Sequence, residues 1–203
     1  MSNILLILSS PRGEASLSTK IARELVGKLK TKSPKTVVVE RDLATHPLPH
    51  LDGAFVDATR GQPASLTAHQ RAAVDKSNVL LAEVLAADTI VIAASMINFS
   101  IMSTLKSWID YLAVPGKTFQ YSAAGPEGLV KGKKVYIVQA SAGAYSNGPA
   151  KAFDFVSPYL RTVLGFMGMS DVEVIHVEGT AFGPEAAEKA ISSAIAHAHK
   201  LAA

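Results

Sequence analysis

The chain has no cysteine among its 203 residues. That excludes disulfides, thiolate nucleophiles, cysteine zinc sites and iron–sulfur clusters. A cytoplasmic protein fits best. Strong charge of one sign is also lacking: 20 Lys and Arg stand against 17 Asp and Glu, a net charge of +3. The cations are scattered, with small clusters such as Lys131, Lys133 and Lys134. A nucleic-acid surface wants a basic stripe, so no nucleic-acid partner is expected. The longest apolar runs are strand-sized, and no membrane span is expected. The N-terminus enters an apolar run without a basic flank or an A-x-A-like cleavage site nearby, which reads as a first strand and not as a signal peptide.

Several motifs are missing too. Neither G-x-G-x-x-G nor G-x-x-x-x-G-K occurs, which argues against tightly held NAD or ATP. No G-x-S-x-G elbow occurs, so hydrolase chemistry is poorly supported. The six histidines make no metal spacing. His197 and His199 are two apart on a helical pattern and point to different faces. His46, His50 and His69 fall in loop-rich sequence and are expected to be solvated, and His176 falls in a strand. A cofactor must therefore carry any hard chemistry.

What is present is a folding pattern. Hydrophobic residues make up 48% of the chain, enough for one α/β domain with a real core. Five apolar, β-branched runs read as strands: Ile4 to Leu8, Thr36 to Val39, Thr89 to Ala94, Lys134 to Gln139 and Val172 to Val177. The first and third are continuously apolar, as strands buried on both faces are. Helical patterns lie between them. Leu17, Ile21, Leu25 and Leu29 recur every four residues. Further patterns run from about Ala68 to Leu85, Met102 to Leu112, Ala150 to Leu164 and Pro184 to Lys200. Strand and helix alternate five times, which predicts a doubly wound parallel sheet with helices on both faces. Two insertions interrupt the rhythm. Residues 43–66, with Pro47, Pro49, Gly53, Gly61 and Pro63, read as a long loop. Residues 115–133, with Gly125-Pro126-Glu127-Gly128, read as a hairpin or flap. No domain boundary interrupts residues 1–203.

In open α/β sheets, ligands bind beyond the carboxyl ends of the strands. Three loops are therefore candidates. The first, Ser9-Ser10-Pro11-Arg12-Gly13-Glu14-Ala15-Ser16-Leu17-Ser18, delivers hydroxyls and backbone N–H groups to a helix N-terminus, where a phosphate is held without glycines. Alternatively, Ser16 or Ser18 is merely an N-cap. The second, Ser95-Met96-Ile97-Asn98-Phe99, offers a flat apolar face and an amide to an aromatic ring. Alternatively, Met96 and Phe99 cap the core. The third, Ala140-Ser141-Ala142-Gly143-Ala144-Tyr145, lets backbone approach a ligand, or is an ordinary tight turn.

At these loops the sequence resembles the FMN-dependent NADH-azoreductases, relatives of the NAD(P)H-quinone reductases in the flavodoxin-like superfamily. The likeness is carried by S-S-P-R-G-E-A-S-L-S, R-D-L-A-T-H-P-L-P-H-L-D, M-I-N-F-S-I-M-S-T-L-K-S-W-I-D, G-K-T-F-Q-Y, G-P-E-G-L-V-K-G-K-K, P-Y-L-R-T-V-L-G-F-M-G and E-G-T-A-F-G-P-E. It covers nearly the whole chain.

The resemblance implies a flavodoxin-like three-layer α/β/α sandwich, with a five-stranded parallel sheet in the order 2-1-3-4-5. It implies non-covalent FMN, with the phosphate on Ser10, Ser16, Leu17 and Ser18. The isoalloxazine would lie on Met96, Ile97, Asn98, Phe99 and on Ala140, Ser141, Ala142 and Gly143. NADH, or NADPH, would reduce the enzyme in a ping-pong cycle. Quinones would then take two electrons, or azo compounds be cleaved to aromatic amines, in a homodimer with FMN at its interface. Phe119 and Tyr121 are candidate aromatic lids over the substrate, from either subunit, or else hairpin or dimer packing. A flavodoxin-like electron carrier and an FMN-binding module without turnover are the alternatives. The sequence pI near 9.1 disfavours a carrier, since carriers are typically acidic.

Two loops depart from the family pattern. Ser95-Met96-Ile97 stands where the family has Pro-Met and an aromatic residue. Ala140-Ser141-Ala142-Gly143 stands where it has Ser-Arg-Gly-Gly, so an arginine beside the flavin is missing.

Overall fold

The computed structural model describes residues 2–61 and 64–203. Pro63 of the first insertion lies outside them. Five strands form one parallel sheet: β1 (Asn3–Leu8), β2 (Val37–Asp42), β3 (Thr89–Ser95), β6 (Lys134–Ala140) and β7 (Asp171–Val177). Their order is β2-β1-β3-β6-β7, which is the expected 2-1-3-4-5 once a separate hairpin, β4 (Phe119–Ser122) with β5 (Gly125–Gly128), is set aside.

The continuous apolar runs have a simple cause. Successive strand residues point to opposite faces. Leu5, Ile7, Ile90, Ile92, Val135 and Ile137 enter one core. Ile4, Leu6, Leu8, Val91, Ala93, Tyr136 and Val138 enter the other. The second core is closed by α1 (Leu17–Lys32) and α6 (Pro184–Ala202) through Ile21, Ala22, Leu25, Ala194 and Ala198. The first is closed by α3 (Ala68–Ala86), α4 (Ser103–Leu112) and α5 (Ser157–Phe166) through Leu80, Val84, Leu105, Trp108 and Leu160.

Three expectations need correction. Residues 43–66 are not simply a loop: α2 (Gly53–Arg60) forms there, with the Asp52 carboxylate accepting from the Phe55 N–H at 3.0 Å. Its single buried residue, Phe55, packs against Tyr111 at 4.9 Å between ring centroids. The strand expected to end at Val39 runs on to Asp42. It is an edge strand, where charged residues are tolerated. Glu40 and Arg41 are paired there, Glu40 with Arg23 and Arg41 with Glu83.

The helix expected from Ala150 to Leu164 is broken. Pro149–Phe153 is a 3-10 turn, and α5 begins at Ser157. Pro158 lacks an N–H, and its ring clashes with a helical carbonyl four residues back, so it is tolerated only in a first turn. Asp154 fills the break by accepting from the N–H groups of Val156 and Ser157.

The hairpin is seated by close backbone contact. A Cβ at Gly128 would stand 2.2 Å from the Gly168 nitrogen, and Val130 N–H donates to Met167 O at 2.9 Å. No helix among the described residues is long and apolar enough to cross a membrane.

Candidate functional site

The ends of β1, β3 and β6 open into a cavity of about 200 Å³. Eight of the twelve expected cofactor residues line it: Ser10, Ser16, Leu17, Met96, Ile97, Ala140, Ser141 and Ala142. Four do not. Ser18 is fully buried behind the wall, and Asn98, Phe99 and Gly143 stand outside the lining.

The first wall is the turn into α1. Ser9, which precedes it, is structural: its hydroxyl donates to Ala93 O at 2.8 Å and ties β1 to β3. Neither serine caps the helix. Ser16 occupies the N-cap position with an extended backbone, yet its side chain makes no cap bond. Its oxygen lies 3.0 Å from Ser18 Oγ instead. The first helical bond is Lys20 N–H to Ser16 O at 3.0 Å. The N–H groups of residues 17–19 therefore precede the ladder, at the positive end of the helix dipole. Arg12 also belongs to the lining.

The second wall is a two-residue hairpin turn. Ile97 and Ser100 exchange both backbone bonds, at 2.9 and 3.0 Å. Asn98 and Phe99 sit between them with φ of 48° and 70°, the pairing of left-handed residues seen in type I′ turns. Asn tolerates this conformation; Phe is strained there by roughly 1–2 kcal/mol. Such strain persists where the surroundings over-determine it, and Phe155 N–H indeed donates to Phe99 O at 3.0 Å. Phe99 does not cap the core. Its ring is 47% exposed and rests on Phe153 and Tyr145, and Ile97 is 46% exposed. Met96 does both jobs, packing on the core while lining the cavity.

The third wall is held from outside. Met96 N–H donates to Ala140 O, and Ser141 N–H to Val177 O. The Thr180 hydroxyl donates to Ser141 O at 3.2 Å. The Gly179 and Ala181 N–H groups donate to Gly143 O and Ala142 O. Glu178 clamps the next two residues. Partial burial by itself would raise its carboxyl, but hydrogen bonds from the Ser146 hydroxyl and the Tyr145 and Ser146 N–H groups hold it below the ordinary value. Tyr145 in turn covers Gly143, where a Cβ would meet its ring at 3.0 Å.

Phe119 and Tyr121 do not reach this cavity within one chain. Phe119 is 4% exposed and stacks on Phe166 at 4.4 Å. Within one chain Phe119 therefore packs under the hairpin, one of the two readings open for this residue. Tyr121 is 75% exposed, and the two border a second cavity of about 400 Å³ with Thr59, Arg60, Pro115 and Gly116.

His46, His50 and His69 are exposed as expected, although His69 lies in the first turn of α3 and contacts Asp52 at 2.6 Å. His176 is half-buried, and burial pushes its imidazole below the usual value. No group of three potential ligands for a metal occurs among the described residues.

Sequence reasoning missed Arg12, Ser95, Thr180 and Glu178. Arg12 was legible as a cation in a serine turn. The other three act through contacts that only the folded chain makes.

The donor set fits a phosphate joined to a flat ring. Helix-end N–H groups and serine hydroxyls come from the first wall, with Arg12 beside them, and apolar side chains with approachable backbone from the other two.

Comparison with known proteins gives the family. Residues 2–202 match a family described by its flavodoxin-like fold. An FMN-dependent NADH:quinone oxidoreductase of Agrobacterium fabrum is 58% identical over 202 residues, covering 100% of this chain and 98% of its own length. The crystal structure of an azoreductase from Bacillus anthracis superposes with a TM-score of 0.92 at 32% identity, covering 100% of this chain and 99% of that one. An FMN-dependent NADH-azoreductase from the same species, solved in complex with FMN, gives 0.88 at 26% identity over 100% of both chains. The chain belongs to the flavodoxin-like family that includes these FMN-dependent NADH:quinone oxidoreductases and azoreductases.

Proposed function

We propose that residues 1–203 form one FMN-binding domain that uses NADH, or NADPH, to reduce quinones by two electrons and to cleave azo compounds to aromatic amines. The observation that carries this reading is the meeting, in one cavity, of an uncapped helix end with the apolar Met96 and Ile97 that lead into a left-handed turn.

Bound FMN would supply the two-electron redox chemistry. The chain's part is binding and orientation. Ser10, Ser16 and Leu17 would hold the phosphate from the lining and Ser18 through its helix-end N–H, with Arg12 adding charge. Met96, Ile97, Asn98 and Phe99 would support the ring on one side, and Ala140, Ser141, Ala142 and Gly143 on the other. Backbone N–H groups of the two ring loops can donate to the ring's polar edge, where negative charge grows on reduction. No acid–base side chain is required of the chain.

The cavity is smaller than the roughly 300–1,000 Å³ of most ligand pockets. Exposed Ile97 and Phe99 stand beside it. Both features support a homodimer in which a second copy completes the site, and Phe119 and Tyr121 would border the acceptor only across that interface. A cytoplasmic enzyme with no nucleic-acid or membrane partner accords with the cysteine-free, weakly charged sequence.

The test is an anaerobic stopped-flow trace of flavin absorbance on FMN-loaded protein. Bleaching by NADH or NADPH, followed by recovery with menadione or methyl red, is the expected result. Flavin that stays oxidised with both nucleotides would contradict the reductase.

A further inference from the structure

Ser95 closes a ring of three hydroxyls. Its Oγ lies 3.0 Å from Ser18 Oγ and 3.3 Å from Ser16 Oγ, and those two are 3.0 Å apart. Ser16 and Ser18 are 2% and 0% exposed, so water does not compete for these contacts. Ser95 comes from the end of β3, more than seventy residues away in sequence, and Met96 beside it belongs to the wall proposed to support the flavin ring.

The ring explains an oddity of α1. Ser16 has the extended backbone of an N-cap, with φ of −73° and ψ of 131°, yet its oxygen accepts from no backbone N–H of the helix. A capping serine normally accepts from the second or third helical N–H. Ser95 and Ser18 draw the Ser16 oxygen the other way.

We propose that Ser95 is a positioning residue for the phosphate of the cofactor. Resting on the FMN reading above, it holds Ser16 off the helix end, so that the N–H groups of residues 17–19 stay open to an anion. Each hydroxyl has one proton and two lone pairs. The three-way contact fixes which way these serines point before any ligand arrives. The apoprotein thus forgoes a stabilising cap in favour of a ready anion site.

The consequence has opposite signs in the two states. In S95A, Ser16 is released to cap α1. The apoprotein keeps or slightly raises its melting temperature, while phosphate binding weakens. The experiment titrates wild-type and S95A apoprotein with FMN and with riboflavin, which lacks the phosphate, by flavin fluorescence. Thermal shifts of both apoproteins with inorganic phosphate accompany it.

The expected result is an FMN affinity lower by about three- to tenfold in S95A, the worth of one hydrogen bond. Riboflavin affinity should stay unchanged, and protection by phosphate should diminish. Equal loss for FMN and riboflavin, or a lower melting temperature of the variant apoprotein, would assign Ser95 to the fold alone and overturn the proposal. So would unchanged FMN binding. Wild-type protein that takes up no FMN would instead overturn the underlying reading, and this inference with it.

Discussion

Two loops enter the same cavity and are held there in different ways. The turn at 97–100 holds itself. Two backbone bonds between Ile97 and Ser100 close it, and its shape is written in the positive φ of Asn98 and Phe99. The loop at 140–146 is held by its neighbours. Val177 at the end of β7, and Glu178, Gly179, Thr180 and Ala181 just after it, all bond to it. The difference teaches where each wall is vulnerable. The first fails when its own backbone is changed. The second fails when a residue some thirty positions away is changed.

The largest expected effect comes from Asn98→Val. A β-branched residue in the left-handed region costs roughly 1–3 kcal/mol, and the turn should rearrange. FMN affinity should fall more than tenfold, measured by fluorescence titration. An unchanged affinity would mean that the turn does not shape the site.

Glu178→Ala comes next. It leaves the Tyr145 and Ser146 N–H groups without their acceptor, a loss of about 1–3 kcal/mol in chemical denaturation. The flavin spectrum should change less than in the Asn98 variant. A larger disturbance than in Asn98→Val would invert the comparison.

The same clamp has a pH signature. A carboxyl held below its ordinary value contributes stability that is complete above roughly pH 4.3, the unfolded value, and is lost as pH falls through the lower folded value. Glu178→Gln removes that arm of the acid unfolding curve. Coincident acid limbs for wild-type and variant would show that Glu178 carries no charge-dependent contact.

The smallest effect belongs to Asn98→Gly. Glycine adopts positive φ freely, but its unfolded chain is more flexible, and the two nearly cancel. Stability should move by less than about 0.5 kcal/mol, with FMN binding kept. A large loss would assign the role at this position to the Asn98 amide and not to the backbone.

This contrast also marks what was legible in sequence. Continuously apolar runs alternating with helical patterns carry their own signal, so a parallel sheet with helices on both faces could be read directly, whereas the loop at 95–99 was legible as a loop but not as a left-handed turn. Glycine and proline punctuation likewise announced the hairpin at 119–128. The clamp of Glu178 on Tyr145 could not be read, because it joins segments that only the sheet brings together. Nor could the link from Ser95 to Ser16. Helix α2 was hidden by flanking prolines and glycines, and its buried anchor is Phe55 alone. For Phe119 the sequence left lid and packing open, because aromatic alternation in a hairpin does not say which face is buried; within one chain it packs on Phe166.

The most direct test of this arrangement is a crystal structure of the protein with FMN. The expected result places the phosphate within hydrogen-bonding distance of Ser10, Ser16 and the first N–H groups of α1, with the ring between residues 96–99 and 140–143. Flavin found instead in the cavity between Arg60 and Tyr121, or with its phosphate turned away from α1, would contradict it.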